Sequence, residues 1–450
     1  MKRIFLSFLV LAVLDSCVPK IKTEPLSAGS CDLSKPVVLG GSTMAGYRDG
    51  ALFNDGQKTA VGNLLLMSFS EVSGLPYSEW NMASAEGLGW NFNSPQSPFR
   101  TRGRLANLAD CEGVVGLGVA RNYFAQNAAG PLLDPIGLNF VPNNLAIPFS
   151  TLDDWMNPAF GISVNAGGKN AFYPRITTNP GTATVFSDAH SLNPTFVAMW
   201  PGMEDIMNWA SMGAEENRPM SSGLFESKLD SLIGQFAANG AKGILANVPD
   251  IDALPFFTTF PTDGLELGQV KADSLNELYH GGGTFLHINF HEGKNGFAIQ
   301  DTNAPNGYRL TDSNDRILLT APKDSIKCKK WGVVFIPLPA TVVLLPAEIA
   351  EIRSTIAAYN IAIEKIAGKY NFAMLDIASV YEQIRGEYML EGINYNSVFV
   401  SGGFFSVDGL NPNPKGAALI TNEFIRAINL KYGANIPTKV VSTYEGLVFP

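Results

Sequence analysis

The sequence has few charged residues, and this shortage already excludes several classes of protein. Only 16% of the 450 residues are charged and 46% are hydrophobic, a composition too apolar for an intrinsically disordered chain. The formal net charge is -9, and lysine and arginine form no run interleaved with aromatic residues, so we expect no nucleic-acid partner. The chain has neither a P-loop nor a dinucleotide-binding turn, and no cofactor is expected.

Cysteine is also scarce, and the four cysteines form no paired C-x-x-C motif for a metal or redox site. Cys17 belongs to the N-terminal segment described next. Cys31, Cys111 and Cys328 remain, and three thiols in an oxidising compartment allow one disulfide. The sequence does not choose the pair, and inert buried thiols are an equal alternative.

The N-terminal segment has the order of a secretory signal. Lys2 and Arg3 precede a mostly apolar run over residues 4–14, which is shorter than the about 20 residues that a membrane-spanning helix needs. No other apolar stretch reaches that length. We therefore predict export rather than a transmembrane anchor.

Residues 14–17, Leu-Asp-Ser-Cys, resemble a bacterial lipobox. The resemblance implies that residues 1–16 are a lipoprotein signal peptide and that Cys17 is lipidated and becomes the mature N-terminus. Residues 17–32 are then expected to be a tether that anchors the protein to a membrane. The protein is expected on the periplasmic or cell-surface side of a bacterial membrane.

The hydrophobic pattern over the rest of the chain predicts a single doubly wound α/β domain, residues 33–450. Continuously apolar runs predict strands covered on both faces, as in a parallel sheet, at 36–40, 195–200, 243–248 and 372–376. Apolar residues at spacings of three and four predict helices over 57–69, 224–238, 346–367 and 414–432. Strands that alternate with helices in this way are typical of an α/β fold.

Two stretches interrupt the pattern, at about residues 74–137 and 255–339. Both are rich in glycine, proline, asparagine and aromatic residues, and both are too long for ordinary connections in a compact domain. If they start at the carboxyl edge of the sheet, they shape a pocket or a lid. Packing against the surface without a role in a pocket is the alternative.

Two segments carry the candidate chemistry. Residues 38–50, Val-Leu-Gly-Gly-Ser-Thr-Met-Ala-Gly-Tyr-Arg-Asp-Gly, place Ser42 in a glycine-rich turn after a buried strand, which exposes a hydroxyl group. Residues 404–412, Phe-Phe-Ser-Val-Asp-Gly-Leu-Asn-Pro, lie just before the C-terminal helix.

These two segments resemble the first and last sequence blocks of the SGNH (GDSL) hydrolases. Ser42 falls on the nucleophile of that family, and Gly41 stands where the family usually has aspartate. Asp408 falls on the acid of the triad, and Asn411 replaces the catalytic histidine. The resemblance implies a flavodoxin-like three-layer α/β/α fold with a central parallel sheet, and an esterase or lipase ancestry.

The middle blocks of the family also have counterparts here. Residues 143–149 and 199–205 match them in order, with Phe149 in place of an oxyanion-hole glycine and Glu204 in place of an oxyanion-hole asparagine. Ser42 is the third oxyanion position that the resemblance implies. Further pocket candidates from these blocks are Gly41, Gly202 and Asp205. The C-terminal residues up to Pro437 resemble a Bacteroidetes-type branch of GDSL lipoproteins.

The substitutions oppose catalysis. A serine hydroxyl attacks an ester only when a base takes its proton and donors stabilise the oxyanion. Asn411 is not a base near neutral pH, and loss of a triad histidine removes on the order of 10⁶ in turnover. An ionised Glu204 would repel the oxyanion that an asparagine stabilises.

Only four histidines exist to replace the missing base: His190, His280, His287 and His291. If residues 284–291 form a strand, His287 and His291 lie on one face and can approach the pocket. We expect a position at the surface or at the rim of the core instead, because neither has a placed partner. Two histidines without a third ligand predict no metal site.

Three hypotheses follow. The first is a lipoprotein with an SGNH-type pocket, inactive or weakened, which binds a glycan, an acyl group or a similar small ligand. The second is an active carboxylic-ester hydrolase in which Ser42 works with a histidine from an insertion or with a carboxylate base. The third is a structural lipoprotein whose pocket is filled by Phe149 and neighbouring aromatic residues. Throughout, Asp205 and Asp408 are also candidates for simple capping of helix starts and turns.

Overall fold

The structure is a computed structural model that describes residues 25–90, 99–283, 285–333 and 336–450. The predicted signal peptide and Cys17 lie outside these residues. Within the described ranges, no helix combines the length and the hydrophobicity that crossing a bilayer requires.

Four parallel strands form the central sheet: β1 (Pro36–Leu39), β2 (Phe196–Met199), β3 (Lys242–Ala246) and β4 (Ala373–Leu375). They lie in the order β1-β2-β3-β4, and Val38 pairs with Ala198 in register. The apolar runs of the sequence become strands because helices cover both faces of this sheet. The prediction of a parallel sheet is confirmed.

A segment over residues 143–147 extends the sheet beyond β1. The Val38 amide donates to the Asn143 carbonyl oxygen at 2.8 Å, and the Leu145 amide donates to the Val38 carbonyl oxygen at 2.9 Å. This segment comes second along the chain and lies beside the first strand. The spatial order is therefore 2-1-3-4-5, which is the flavodoxin-like order.

Two helix pairs cover the sheet, and each pair lies on its own face. On one face α1 (Val61–Ser73) packs against α4 (Pro414–Tyr432), and on the other α2 (Ser222–Ala238) packs against α3 (Pro346–Lys369). The predicted three-layer α/β/α architecture is confirmed. The helix predicted over 57–69 is divided in two, because Ala60 has an extended backbone with ψ of 143°.

The remaining elements are shorter and lie between the core elements or in the insertions. The helices are Ser42–Ala45, Asn54–Lys58, Gln126–Ala129, Val185–Ser191, Met203–Ala210, Pro255–Thr258, Gln269–His280, Lys323–Lys329 and Ile377–Gly386. The strands are Gly89–Trp90, Phe99–Arg100, Arg104–Ala109, Val115–Ala120, Tyr123–Phe124, Leu265–Leu267, Gly293–Asn295, Ala298–Gln300, Tyr308–Leu310, Arg316–Ile317, Val343–Leu344, Tyr388–Leu390 and Ile393–Tyr395.

The first insertion contains an antiparallel hairpin of Arg104–Ala109 and Val115–Ala120. The second insertion packs around two small hydrophobic clusters of its own, one near Phe297 and one near Tyr279. A disulfide between Cys111 and Cys328 joins the two insertions. The structure thus selects one of the pairings that the sequence left open.

Cys31 is the free cysteine of the described chain. Its thiol is half-buried, and burial raises its pKa to about 12, so it is an inert thiol at neutral pH.

The described part of the predicted tether lies against the domain. Ser27 and Asn435 exchange two backbone hydrogen bonds, of 3.3 and 2.8 Å, and the Ser30 amide donates to the Tyr432 carbonyl oxygen at 2.9 Å. Residues 25–32 therefore contact the C-terminal end of α4 rather than forming a free linker.

Candidate functional site

Ser42 is the first residue of a short helix that follows β1 and two glycines. Its backbone amide donates to Oε1 of Glu204 at 2.5 Å, and its Oγ accepts a hydrogen bond from the Phe149 amide at 3.3 Å. The serine is buried, with 4% of its surface exposed. The turn after β1 thus brings Ser42 together with both residues predicted at the oxyanion positions.

Glu204 lies in the first turn of the helix Met203–Ala210, just after β2. Burial raises the pKa of this carboxyl group to about 7, although hydrogen bonds from Ser42 oppose the rise. Burial therefore favours the neutral form of this carboxyl group. Even so, the Ser42 amide is already bonded to this oxygen and is not available to a substrate oxyanion.

Gly41 and Glu204 compete for the same space. A Cβ atom on Gly41 would lie 2.0 Å from Cγ of Glu204. A side chain at residue 41 therefore requires Glu204 to move, which gives a physical reason for glycine at this position.

Phe149 adopts a left-handed backbone with φ of 65°, a conformation that costs most residues about 1 kcal/mol or more. Its ring packs edge-on against Tyr47, with 4.9 Å between ring centroids. The Phe149 carbonyl oxygen accepts from Nδ2 of Asn208 at 2.9 Å. These contacts hold the strained turn that points the Phe149 amide at Ser42.

Asp408 organises the turn that carries Asn411. Its Oδ1 accepts from the backbone amides of Leu410 and Asn411 at 2.9 and 2.8 Å, and its Oδ2 accepts from Nδ2 of Asn411 at 3.2 Å. The other end of the Asn411 amide accepts from Oγ1 of Thr43 at 3.0 Å. Asp408 therefore orients Asn411 and also caps the turn, but Asn411 supplies no base to Ser42.

The four histidines lie elsewhere. Nε2 of His280 is hydrogen-bonded to the Ile288 carbonyl oxygen at 2.8 Å. Nε2 of His287 is hydrogen-bonded to the Tyr308 carbonyl oxygen at 2.8 Å. Residues 285–291 form no strand, so the predicted alternation of His287 and His291 on one face is wrong. Thr284 lies outside the described residues. No described histidine lines the cavity beside Ser42, which excludes a histidine from an insertion as the base in this structure.

A cavity of about 1870 Å³ opens at Ser42. Its wall includes five of the residues proposed from the sequence, namely Ser42, Phe149, Glu204, Asp408 and Asn411. The hairpin of the first insertion and much of the second insertion complete the wall. The insertions therefore shape a pocket, as one of their two interpretations predicted, and Phe149 lines this pocket without filling it.

Three predicted pocket residues, Gly41, Gly202 and Asp205, lie outside this cavity wall. Oδ2 of Asp205 accepts from the Leu152 amide at 3.1 Å, and burial raises the pKa of this carboxyl to about 7. Asp205 therefore binds a loop amide distant in sequence, and no side chain caps the start of its own helix. Within the described chain, no group of three or more histidine, cysteine, aspartate or glutamate residues is arranged to hold a metal ion.

The sequence matches no family model and no curated protein. The solved structures similar to this chain include the following three. An α/β hydrolase from the metagenome of Lake Arreo is 12% identical, with 88% of this chain and 95% of that chain covered and a TM-score of 0.36. An acetylxylan esterase from Geobacillus stearothermophilus is 10% identical, with 89% and 96% covered and a TM-score of 0.36. A protein described as a GDSL-like lipase from Parabacteroides merdae is 10% identical, with 90% and 98% covered and a TM-score of 0.35.

Sequence reasoning missed the charged residues of the cavity wall. Arg100 and Arg121, from the first insertion, line the same cavity as Ser42. Asp49 lies behind Asp408, and burial raises the pKa of the Asp49 carboxyl to about 6. The sequence offered no signal for these two arginines, because the first insertion also contains Arg102, Arg104 and several carboxylates.

Proposed function

We propose that this chain is an SGNH-type lipoprotein that binds a long-chain acyl ester in the cavity at Ser42 and hydrolyses it slowly or not at all. The observation that supports the proposal is the cavity itself, which joins a triad-like serine to a large apolar space. Ligand cavities of ordinary enzymes measure about 300–1,000 Å³, and this one is larger.

The walls favour an acyl ligand over a glycan. Sugar sites present many hydrogen-bonding groups, whereas most of this wall is aliphatic or aromatic. The apolar wall residues include Leu105, Val119, Met203, Met207, Phe256, Phe260, Leu275 and Phe297. Burial of an alkyl chain against such residues contributes roughly 0.8 kcal/mol for each methylene group.

Weak chemistry follows from two contacts. Asn411 lies in the position of the base and cannot take the Ser42 proton. Glu204 bonds to the Ser42 amide at 2.5 Å, so a tetrahedral intermediate would lose one of its donors.

A membrane supplies ligands of this chemistry. The lipobox-like residues 14–17 support a lipid anchor at Cys17 and export to the periplasmic or cell-surface side of a bacterial membrane, as in the Bacteroidetes-type lipoprotein branch. An anchored cavity would meet acyl esters at the lipid surface.

The binding proposal is tested by titration calorimetry with monopalmitoylglycerol. Ala120 lines the cavity, whereas Ala106, on the same hairpin, does not. We expect Ala120→Trp to weaken binding about tenfold or more by filling the space, and Ala106→Trp to leave it unchanged. No binding by the unaltered protein, or equal binding by both variants, would contradict the proposal.

A second candidate function is slow hydrolysis with Glu204 as the base. The position of Glu204 beside Ser42 and its pKa of about 7 favour it. Under this candidate, Glu204→Gln abolishes any turnover that depends on Ser42. Under the first proposal, the same change leaves turnover unchanged or raises it.

A further inference from the structure

Two arginines share one face of the first insertion. Phe99–Arg100 pairs antiparallel with Tyr123–Phe124, so Arg100 lies opposite Tyr123, and Arg121 precedes Tyr123 by two residues. Side chains directly opposite across a ladder point to the same face, as Arg100 and Tyr123 do, and Arg121 lies in the two-residue link between Val115–Ala120 and Tyr123–Phe124. Arg100, Arg121 and Tyr123 all line the cavity.

This face lies beside the Ser42 cluster. Nε of Arg100 donates to the Gly50 carbonyl oxygen at 3.3 Å, and the amide of the same Gly50 donates to Oδ2 of Asp408 at 3.3 Å. The guanidinium group lies so close to Gly50 that a Cβ atom there would be 3.3 Å from an Arg100 nitrogen. The two arginines and the serine therefore border the same end of the cavity.

Arg121 is a half-buried cation without a partner. Among the described residues it has neither a hydrogen bond nor an ion pair. Burial and the charge of Arg100 both lower the pKa of Arg121, while Tyr123, Tyr47 and Asp408 oppose this. The oxygens of Asp408 already accept four hydrogen bonds.

The lysine near the opposite end of the hairpin provides a contrast. Lys327 also lines the cavity, but it is paired with Asp110 and with Glu112, at 2.5 and 3.0 Å. Its charge is therefore compensated within the protein.

Two neighbouring guanidinium groups without a carboxylate partner cost free energy that a bound anion would recover.

We propose that Arg100 and Arg121 bind the anionic head group of an amphiphile, a carboxylate or a phosphate monoester, whose alkyl chain occupies the apolar cavity. The inference rests on the proposed binding of an acyl ligand and narrows its class to anionic lipids. A guanidinium pair binds such planar or tetrahedral oxyanions through two or more parallel hydrogen bonds.

The test is calorimetric titration of the full-length protein with four probes: palmitate, dodecyl phosphate, the neutral hexadecanol, and inorganic phosphate alone. The variant is Arg121→Gln. The matched control is Arg104→Gln on the same hairpin, an exposed arginine that pairs with Glu86 outside the cavity wall.

We expect palmitate and dodecyl phosphate to bind at least about tenfold more tightly than hexadecanol, because hydrogen bonds between charged groups add to the binding of the chain. Arg121→Gln should remove this difference and leave hexadecanol binding unchanged, while Arg104→Gln should change nothing.

Other outcomes separate the two proposals. Equal binding of palmitate and hexadecanol, unaffected by Arg121→Gln, would overturn the head-group site and leave the acyl-binding proposal standing. Inorganic phosphate that binds as tightly as dodecyl phosphate would show an anion site without an amphiphile. Binding of none of the three long-chain probes would overturn both proposals.

Discussion

At the scale of single residues, Glu204 decides what the site can do. Its carboxyl group lies beside Ser42 and accepts a hydrogen bond from the Ser42 amide at 2.5 Å. Burial keeps the group partly neutral near pH 7, which limits the cost of a carboxylate in an apolar environment. The result is a serine with ordered neighbours and no free oxyanion donor at its own amide.

The raised pKa of Glu204 predicts a stability change with pH. The folded protein keeps the proton up to about pH 7, whereas the unfolded chain releases it near 4.5. The contribution of this group is thus fully present below pH 4.5 and is lost as the pH rises through 7. We expect Glu204→Gln to reduce the loss of unfolding free energy between pH 5 and 8 by on the order of 2 kcal/mol.

Urea unfolding at these two pH values measures the change. Glu226→Gln, which removes a carboxylate that pairs with Lys365 on the surface, is the matched control. An unchanged pH dependence in Glu204→Gln would show that the group is not buried as the structure has it. Burial also raises the pKa values of Asp205 and Asp49. The Glu204→Gln variant should therefore retain part of the pH dependence of the unfolding free energy.

The contact between Gly41 and Glu204 predicts energetic coupling. Gly41→Ala places a methyl group against Cγ of Glu204, and we expect it to destabilise the protein by about 1–3 kcal/mol through overpacking. In a Glu204→Ala background the same change should cost less than about 1 kcal/mol. A double-mutant cycle from denaturant unfolding measures the coupling, and additive effects would contradict it.

The sequence predicted the site residues that follow core strands and missed those of the insertions. Ser42 and Glu204 come directly after β1 and β2, so their meeting follows from a parallel sheet. Arg100 and Arg121 meet only through the pairing of short strands, whose register the sequence does not specify. The prediction of a strand around His287 and His291 was wrong, because alternation over eight residues does not distinguish a strand from a loop.

At the scale of elements, the two insertions act together. The hairpin Arg104–Ala109/Val115–Ala120 and the helix Lys323–Lys329 form part of one cavity wall. The Cys111–Cys328 disulfide links them, and the ion pairs from Lys327 to Asp110 and Glu112 lie beside it. The two long insertions therefore constrain each other across the cavity.

We predict that Cys111→Ser/Cys328→Ser lowers the free energy of unfolding by about 2–4 kcal/mol, because the bond closes a long loop. The double variant should also bind monopalmitoylglycerol more weakly, since the wall loses its covalent link. Denaturant unfolding and calorimetry measure the two effects. Reductant should reproduce both in the unaltered protein, whose two cysteines are exposed, and should have no effect on the variant.

The core elements could be predicted because their patterns are long and continuous. Helix α4 begins and ends at the predicted residues, and Pro414 lies in its first turn. The break at Thr59 and Ala60 was missed, because neither residue is a strong helix breaker and the apolar spacing continues through it. The insertion strands are mostly two or three residues long, too short to have a period.

At the scale of the whole molecule, the cavity begins at the carboxyl edge of β1 and β2 and extends between the insertions. Ligands of open α/β sheets bind at this edge. Here the sheet supplies the serine and its ordered neighbours, and the insertions supply the apolar walls. Binding and chemistry thus depend on different parts of the chain.

The most direct test of the account is hydrolysis of short- and medium-chain nitrophenyl esters, with fluorophosphonate labelling of the same samples. The proteins to compare are the unaltered chain, Ser42→Ala, Asn411→His and Asn411→His/Glu204→Asn. We predict that turnover by the unaltered chain is absent or slow, and that it rises at least about 100-fold in the double variant, in which a base and an amide donor are introduced. Turnover by the unaltered chain that disappears in Ser42→Ala and is as fast as that of the double variant would contradict the account.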